Sequence, residues 1–184
     1  MARERFHQTT FHELPTDEQV FFNLTDSMLN LPEKVCALFV IALRIYAVDP
    51  ELGMEMICFL RNEEKLEENE IKNMLKEPLK KSAYIPLSYF KGAVPENSYT
   101  PEMPYVITVK EVGRRPRFRK EMTMYVGCPG AGVYRPVSLV KKKRRKINKK
   151  LLGDPWFISD YSSLVLPVPE PMQKVLDENS KAIM

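Results

Sequence analysis

A chain of 184 residues with 44% hydrophobic and 28% charged side chains has enough apolar surface for a real core, which excludes a disordered polymer and points to one domain. Three cysteines, odd in number and without a CxxC pair, argue against a disulfide framework or a zinc centre and fit reduced thiols in a cytoplasmic compartment. The net charge of +4 hides two unlike halves: residues 1–102 hold 11 Lys/Arg against 17 Asp/Glu, while residues 103–184 hold 17 against 7.

The start, MARERFHQTTFHELP, carries charges where a secretory leader needs an unbroken apolar stretch, so no cleaved signal is expected there. The first predicted helix runs from Asp17 to Leu29, with Thr16 as a cap and Val20, Phe21, Leu24 and Met28 recurring every three or four residues. Asn30-Leu-Pro-Glu33 then offers a cap, a proline for the first turn and a Glu at the capping-box offset, so a second helix begins near Pro32 and reaches about Val48. Its run VCALFVIALRIYAV is 14 residues long and contains Arg44, too short for the roughly 20 residues of a membrane span. A buried core helix without membrane insertion is the expectation.

Asp49-Pro50-Glu51 repeats the same start signal, and Leu52, Met56, Phe59 and Leu60 place a third apolar stripe that ends near Arg61. In NEEKLEENEIKNMLKEP, Asn62 is a candidate cap, Leu66, Ile71, Met74 and Leu75 form a sparse stripe, and Pro78 should stop the helix. Residues 79–103 dissolve into Pro, Gly, Asn and Ser among aromatics, the chemistry of an ordered loop.

After Pro104 the period changes to two. Tyr105 to Lys110, Met122 to Val126 and Val137 to Val140 read as strands joined by GRRPR and CPGAG, with PWFISDY as a fourth strand and SSLVLPV as a candidate fifth. Connections this short favour an antiparallel meander, and helices followed by strands is α+β grammar. The whole reads as a single α+β domain over 1–171, with a helical part 16–78, a loop 79–103, a sheet 104–168 and a tail 172–184.

Two segments of the strand half concentrate the positive charge. Arg114, Arg115, Arg117, Arg119 and Lys120 form one; Lys141, Lys142, Lys143, Arg144, Arg145, Lys146, Lys149 and Lys150 form the other. A meander puts the first-to-second and third-to-fourth connections at the same end of the sheet, so the two sets would reinforce one another and attract phosphates through released counterions. The competing reading is a solvated tip that merely discourages edge pairing. A nuclear-localisation tract is a third reading of KKKRRK on composition alone. Phe118 is the only aromatic among these charges, so little base selectivity is expected.

Other chemistry finds no foothold in the sequence. His7 and His12 are five apart near the start, with no Cys nearby to complete a metal set, and read as exposed surface histidines. Ser162-Ser163 lacks an identifiable base. EEKLEENE reads as a solvated helix face, and GCPGAG lacks the Lys-Ser/Thr and the following helix of a phosphate loop. No catalytic residue, metal site or cofactor is expected.

YIPLSYFKGAVPENSYTPEMPYVITV from Tyr84 to Val109, with YRPVSLVKK and WFISDYSSLVLPVPEP, resembles a family of small bacterial proteins, mostly from gut Firmicutes, known as a domain of unknown function. The likeness runs from about Leu31 to Pro171. In that family the RPVSL strand meets the Trp strand through a tight turn, so RRKINKKLLGD is an insertion by comparison. The element order is also similar to cone-shaped nuclear-transport-factor-2-like domains, which would imply a pocket lined by Tyr89, Phe90, Asn97 and Tyr99. Otherwise these aromatics, like Trp156, fill the core. The leading expectation is a non-enzymatic binding module with a basic hairpin surface for nucleic acid or an acidic protein; the alternative is a small-molecule or enzymatic pocket.

Overall fold

Helix α1 (Glu18–Met28) starts where Asp17 turns back on it, the carboxylate accepting from the Val20 N–H at 2.9 Å. The cap is thus Asp17 and not Thr16. The computed structural model describes residues 3–113, 120–143 and 154–172. Helix α2 (Pro32–Tyr46) opens on its proline and is buried almost all round, which makes it the axis of the molecule. It touches α1, α3 (Pro50–Arg61) and the inner face of the sheet. In α3, Asp49 caps the Leu52 N–H at 3.1 Å, and Asn62 ends the helix in the left-handed region at φ 57°.

Asn62 therefore closes one helix instead of opening the next. The following helix, α4, starts at Glu68 and comprises Glu68–Glu70, a π-helical stretch Ile71–Lys76 and Glu77–Lys81. Pro78 does not stop it. In the π-helical stretch the Glu77 N–H reaches back five residues to the Lys72 carbonyl. Widening of this kind makes room for a ring that an α-helical turn would reject. The loop after it is tied down by 3₁₀ turns at Pro86–Tyr89 and Pro95–Asn97.

The sheet has the order β1-β2-β3-β4-β5 and is antiparallel throughout. Its strands are β1 (Glu4–Phe11), β2 (Tyr105–Val112), β3 (Glu121–Cys128), β4 (Val133–Lys141) and β5 (Trp156–Asp160). This is the α+β architecture that the change of period implies, with one addition and one loss. The fifth strand is the N-terminal β1, which pairs with β2 from Glu4↔Val112 to Phe11↔Tyr105. The stretch after Tyr161 is a 3₁₀ turn, Ser162–Val165, and not a strand. Strand β1 escapes a hydrophobicity pattern because Arg5 and His7 share the inward parity with Thr9 and Phe11.

Ile107, Val109, Met124, Val126, Val137, Leu139 and Ile158 form the inner face and are buried with α2 in one core. The opposite face presents Phe6, Tyr125, Tyr134 and Lys110 among Thr108, Thr123 and Ser138. Among the described residues, no helix is long and apolar enough to cross a membrane.

Candidate anion-binding surface

Antiparallel order brings the start of β1, the end of β2, the start of β3, the end of β4 and the start of β5 to one end of the sheet. Lys120 and Lys141 are adjacent there, the Lys141 N–H donating to the Lys120 carbonyl at 2.7 Å. Lys120, Lys142 and Lys143 are exposed. The Lys141 ammonium lies 5.0 Å from the Trp156 ring, and the Asn62 amide holds the Lys143 carbonyl at 3.2 Å. Arg3 and Arg5 of the β1 end are exposed as well, near the same edge. Arg114, Arg115, Arg117, Arg119, Arg144, Arg145, Lys146, Lys149 and Lys150 lie outside the described residues.

The residues read as a pocket lining are placed differently. Tyr89, Phe90 and Tyr99 are 1%, 0% and 0% exposed, so they touch no water-sized space. The Tyr89 hydroxyl donates to the Leu164 carbonyl at 2.7 Å, and the Tyr99 hydroxyl to the Pro169 carbonyl at 2.5 Å. They fasten the segment after β5 to the body. Asn97 is exposed and closes its own loop, accepting from the Val94 and Thr100 N–H groups and donating to the Gly92 and Thr100 carbonyls. Trp156 is core, 6% exposed.

Arg135 joins this fastening and was not singled out from the sequence. Its guanidinium, nearly buried, donates to the Tyr89 hydroxyl at 3.1 Å and to the carbonyls of Ser163, Leu166 and Pro167 at 3.1, 2.7 and 2.8 Å. Parity could have found it: Arg135 shares the inward side of β4 with Val137 and Leu139. Burial raises the Tyr89 phenol despite the nearby Arg135 charge, and raises Tyr99 to about 12.

His7 is only partly exposed. Its ring lies 3.2 Å from the Glu111 carboxylate and 3.8 Å from Glu33, both buried acids. It is therefore a structural bridge between β1, β2 and α2; His12 is exposed as expected. Cys36 and Cys128 are buried and Cys58 partly so, all three free. Burial, aided by Glu33, pushes the Cys36 thiol far up, which removes it as a nucleophile. Among the described residues no group of three His, Cys, Asp or Glu side chains is placed to hold a metal ion.

A groove of about 640 Å³ runs between α4 and the segment after β5, bounded by Met74, Tyr84, Val165, Leu166 and Val168 with Glu77 and Glu170 at its rim. Its lining differs from the pocket inferred by fold analogy.

A family model described as Domain of unknown function (DUF6935) matches residues 13–172. The chain belongs to that family. The match takes in α1 to α4, the aromatic loop and β2 to β5, and leaves β1 outside. No curated protein and no solved structure matches the chain. The analogy to cone-shaped domains accordingly rests on element order alone.

Proposed function

We propose that this DUF6935 protein is a non-enzymatic binding module of bacterial origin that engages a polyanionic partner, foremost nucleic acid, through the basic end of its sheet. The observation that carries the reading is topological. The connections from β2 to β3 and from β4 to β5 leave the sheet at one end, and the sequence puts 13 Lys/Arg in residues 114–120 and 141–150. Concentrated positive charge of one sign is more than a single exposed tip needs for solubility.

Such binding is dominated by counterion release, so its affinity falls steeply as salt rises. Fluorescence anisotropy with labelled mixed-sequence duplex DNA or RNA measures this directly. Replacing the eight basic residues of 141–150 with Gln should abolish binding. Retained binding would refute the reading, and binding to an acidic polypeptide but to neither nucleic acid would transfer it to a protein partner.

A further inference from the structure

The open face of the sheet carries an aromatic arrangement that the basic end alone does not explain. Phe6 of β1 stands opposite Lys110 of β2, which stands opposite Tyr125 of β3. Tyr134 of β4 is paired with Gly127 of β3, and its ring lies across that glycine: a Cβ added at Gly127 would come within 3.2 Å of the Tyr134 Cε1. The missing side chain lets the Tyr134 ring reach over β3. It arrives 4.8 Å from the Lys110 ammonium and 6.0 Å, centroid to centroid, from Phe6. Lys110 is steadied by Glu4 at 3.2 Å and lies 5.7 Å from the Tyr125 ring centroid.

Phe6 is 58% and Tyr134 41% exposed, high values for rings that sit on the face of a five-stranded sheet. Around them the face mixes polar side chains, Gln8, Thr10, Thr108, Thr123 and Ser138, with the apolar Val106, Val112 and Pro136, of which Val112 is 42% exposed. Two exposed rings in contact, with an ammonium beside one of them, are the elements of a stacking platform: every nucleobase has a π-face, and stacking asks for no particular sequence. The rings lie about 20 Å along the strands from Lys120 and Lys141, at about 3.3 Å per residue. A ligand that meets both the rings and the basic end is therefore an extended polymer.

The geometry points to single-stranded nucleic acid on the open sheet face, its bases stacked on Phe6 and Tyr134 and its phosphates drawn to the basic end of the sheet. This rests on the polyanion reading above and narrows it, because stacked bases of a duplex cannot reach the rings.

The test compares the full-length chain with Phe6→Ala/Tyr134→Ala, using labelled oligothymidylate and a duplex of equal length in anisotropy titrations. The double variant is expected to lose about tenfold or more in single-strand affinity, given what one base–ring stack contributes, and to keep its duplex affinity. Unchanged single-strand affinity, or equal loss on both ligands, overturns the stacking proposal. If that happens while Gln replacement of the basic residues in 141–150 still abolishes duplex binding, the polyanion reading stands without it. Phe6→Trp provides a check that does not depend on weakening the sheet: the emission of the introduced indole should be quenched by oligothymidylate and not by duplex, Trp156 being buried. Emission from Phe6→Trp that oligothymidylate leaves unquenched counts against the proposal. So does sedimentation showing a dimer that the double variant dissociates, since the face would then be covered by a second copy.

Discussion

Arg135 shows how one residue can hold a segment that has no regular structure of its own. After β5 the chain makes a single 3₁₀ turn and then runs irregularly to Met172, so its carbonyls have few backbone donors to turn to. The Arg135 guanidinium supplies several donors in one rigid fork and spends them on three of those carbonyls and on Tyr89. Ser163 adds a hydroxyl donated to the Pro136 carbonyl. Arg135→Met keeps the length of the side chain and removes every donor. The unpaired carbonyls should then cost roughly 3 kcal/mol of stability, read as a lower urea midpoint with an unchanged slope. Arg135→Lys should recover only part of this, since one ammonium cannot span the same acceptors. A variant as stable as the parent would mean that water replaces the guanidinium without loss.

Elements whose signal is local are legible in the sequence, and those decided by a distant partner are not. Helices α2 and α3 begin at Pro32 and Pro50, because proline acts on the turn it stands in; Asp49 also caps α3, whereas the N-cap of α2 is Leu31, without a side-chain cap, and not Asn30. Strands β2 to β4 keep the period of two since each has one face on the core, while β5 buries Trp156, Phe157 and Ile158 in succession. Strand β1 is invisible in the pattern because its inward side matches His7 to two glutamates as well as Thr9 and Phe11 to the core. Pro78 misleads for a similar reason: the π-helical stretch that accommodates it is not encoded at the proline. The meander that sends the β2–β3 and β4–β5 connections to one end of the sheet can be read ahead of the structure, but the open-face rings cannot, because Tyr134 depends on a glycine in the neighbouring strand. Gly53 makes the same point for helices. A Cβ built on it overlaps the backbone N and Cα of Tyr46, so α3 leaves the turn pressed against the end of α2. Gly→Ala in a helix ordinarily gains up to about 1 kcal/mol. Here Gly53→Ala should instead lose about 2 kcal/mol or more, as overpacking does, and a rise in thermal midpoint would disprove that close approach.

For the molecule as a whole, the fastening of the C-terminal segment makes stability depend on tyrosines remaining neutral. Tyr89 and Tyr99 donate to carbonyls of that segment, and Tyr161 donates to Glu70 of α4 at 2.9 Å while packing on Phe39 at 4.7 Å. Burial raises all three phenols from the ordinary value of 10.0, and Glu70 raises Tyr161 further. The sign of the linkage follows from which state holds its protons. Above about pH 10 the unfolded chain releases tyrosine protons that the folded chain keeps, so the unfolded state gains. The stabilisation is complete below the ordinary value of 10.0 and is lost as the pH climbs towards about 12 for Tyr99, and beyond that for the other two. Cys36, raised by burial, adds the same slope from its own ordinary value of 9.0. The urea midpoint should therefore begin to fall near about pH 9 and drop most steeply between about pH 10 and 12, with tyrosinate absorbance rising together with loss of the helical signal. Combined Tyr89→Phe, Tyr99→Phe and Tyr161→Phe should lower stability at neutral pH, because their hydroxyl hydrogen bonds are gone, yet flatten the fall at alkaline pH. If the triple variant fell as steeply as the parent, the alkaline sensitivity would belong to other groups, and the tyrosines would be acting through packing alone.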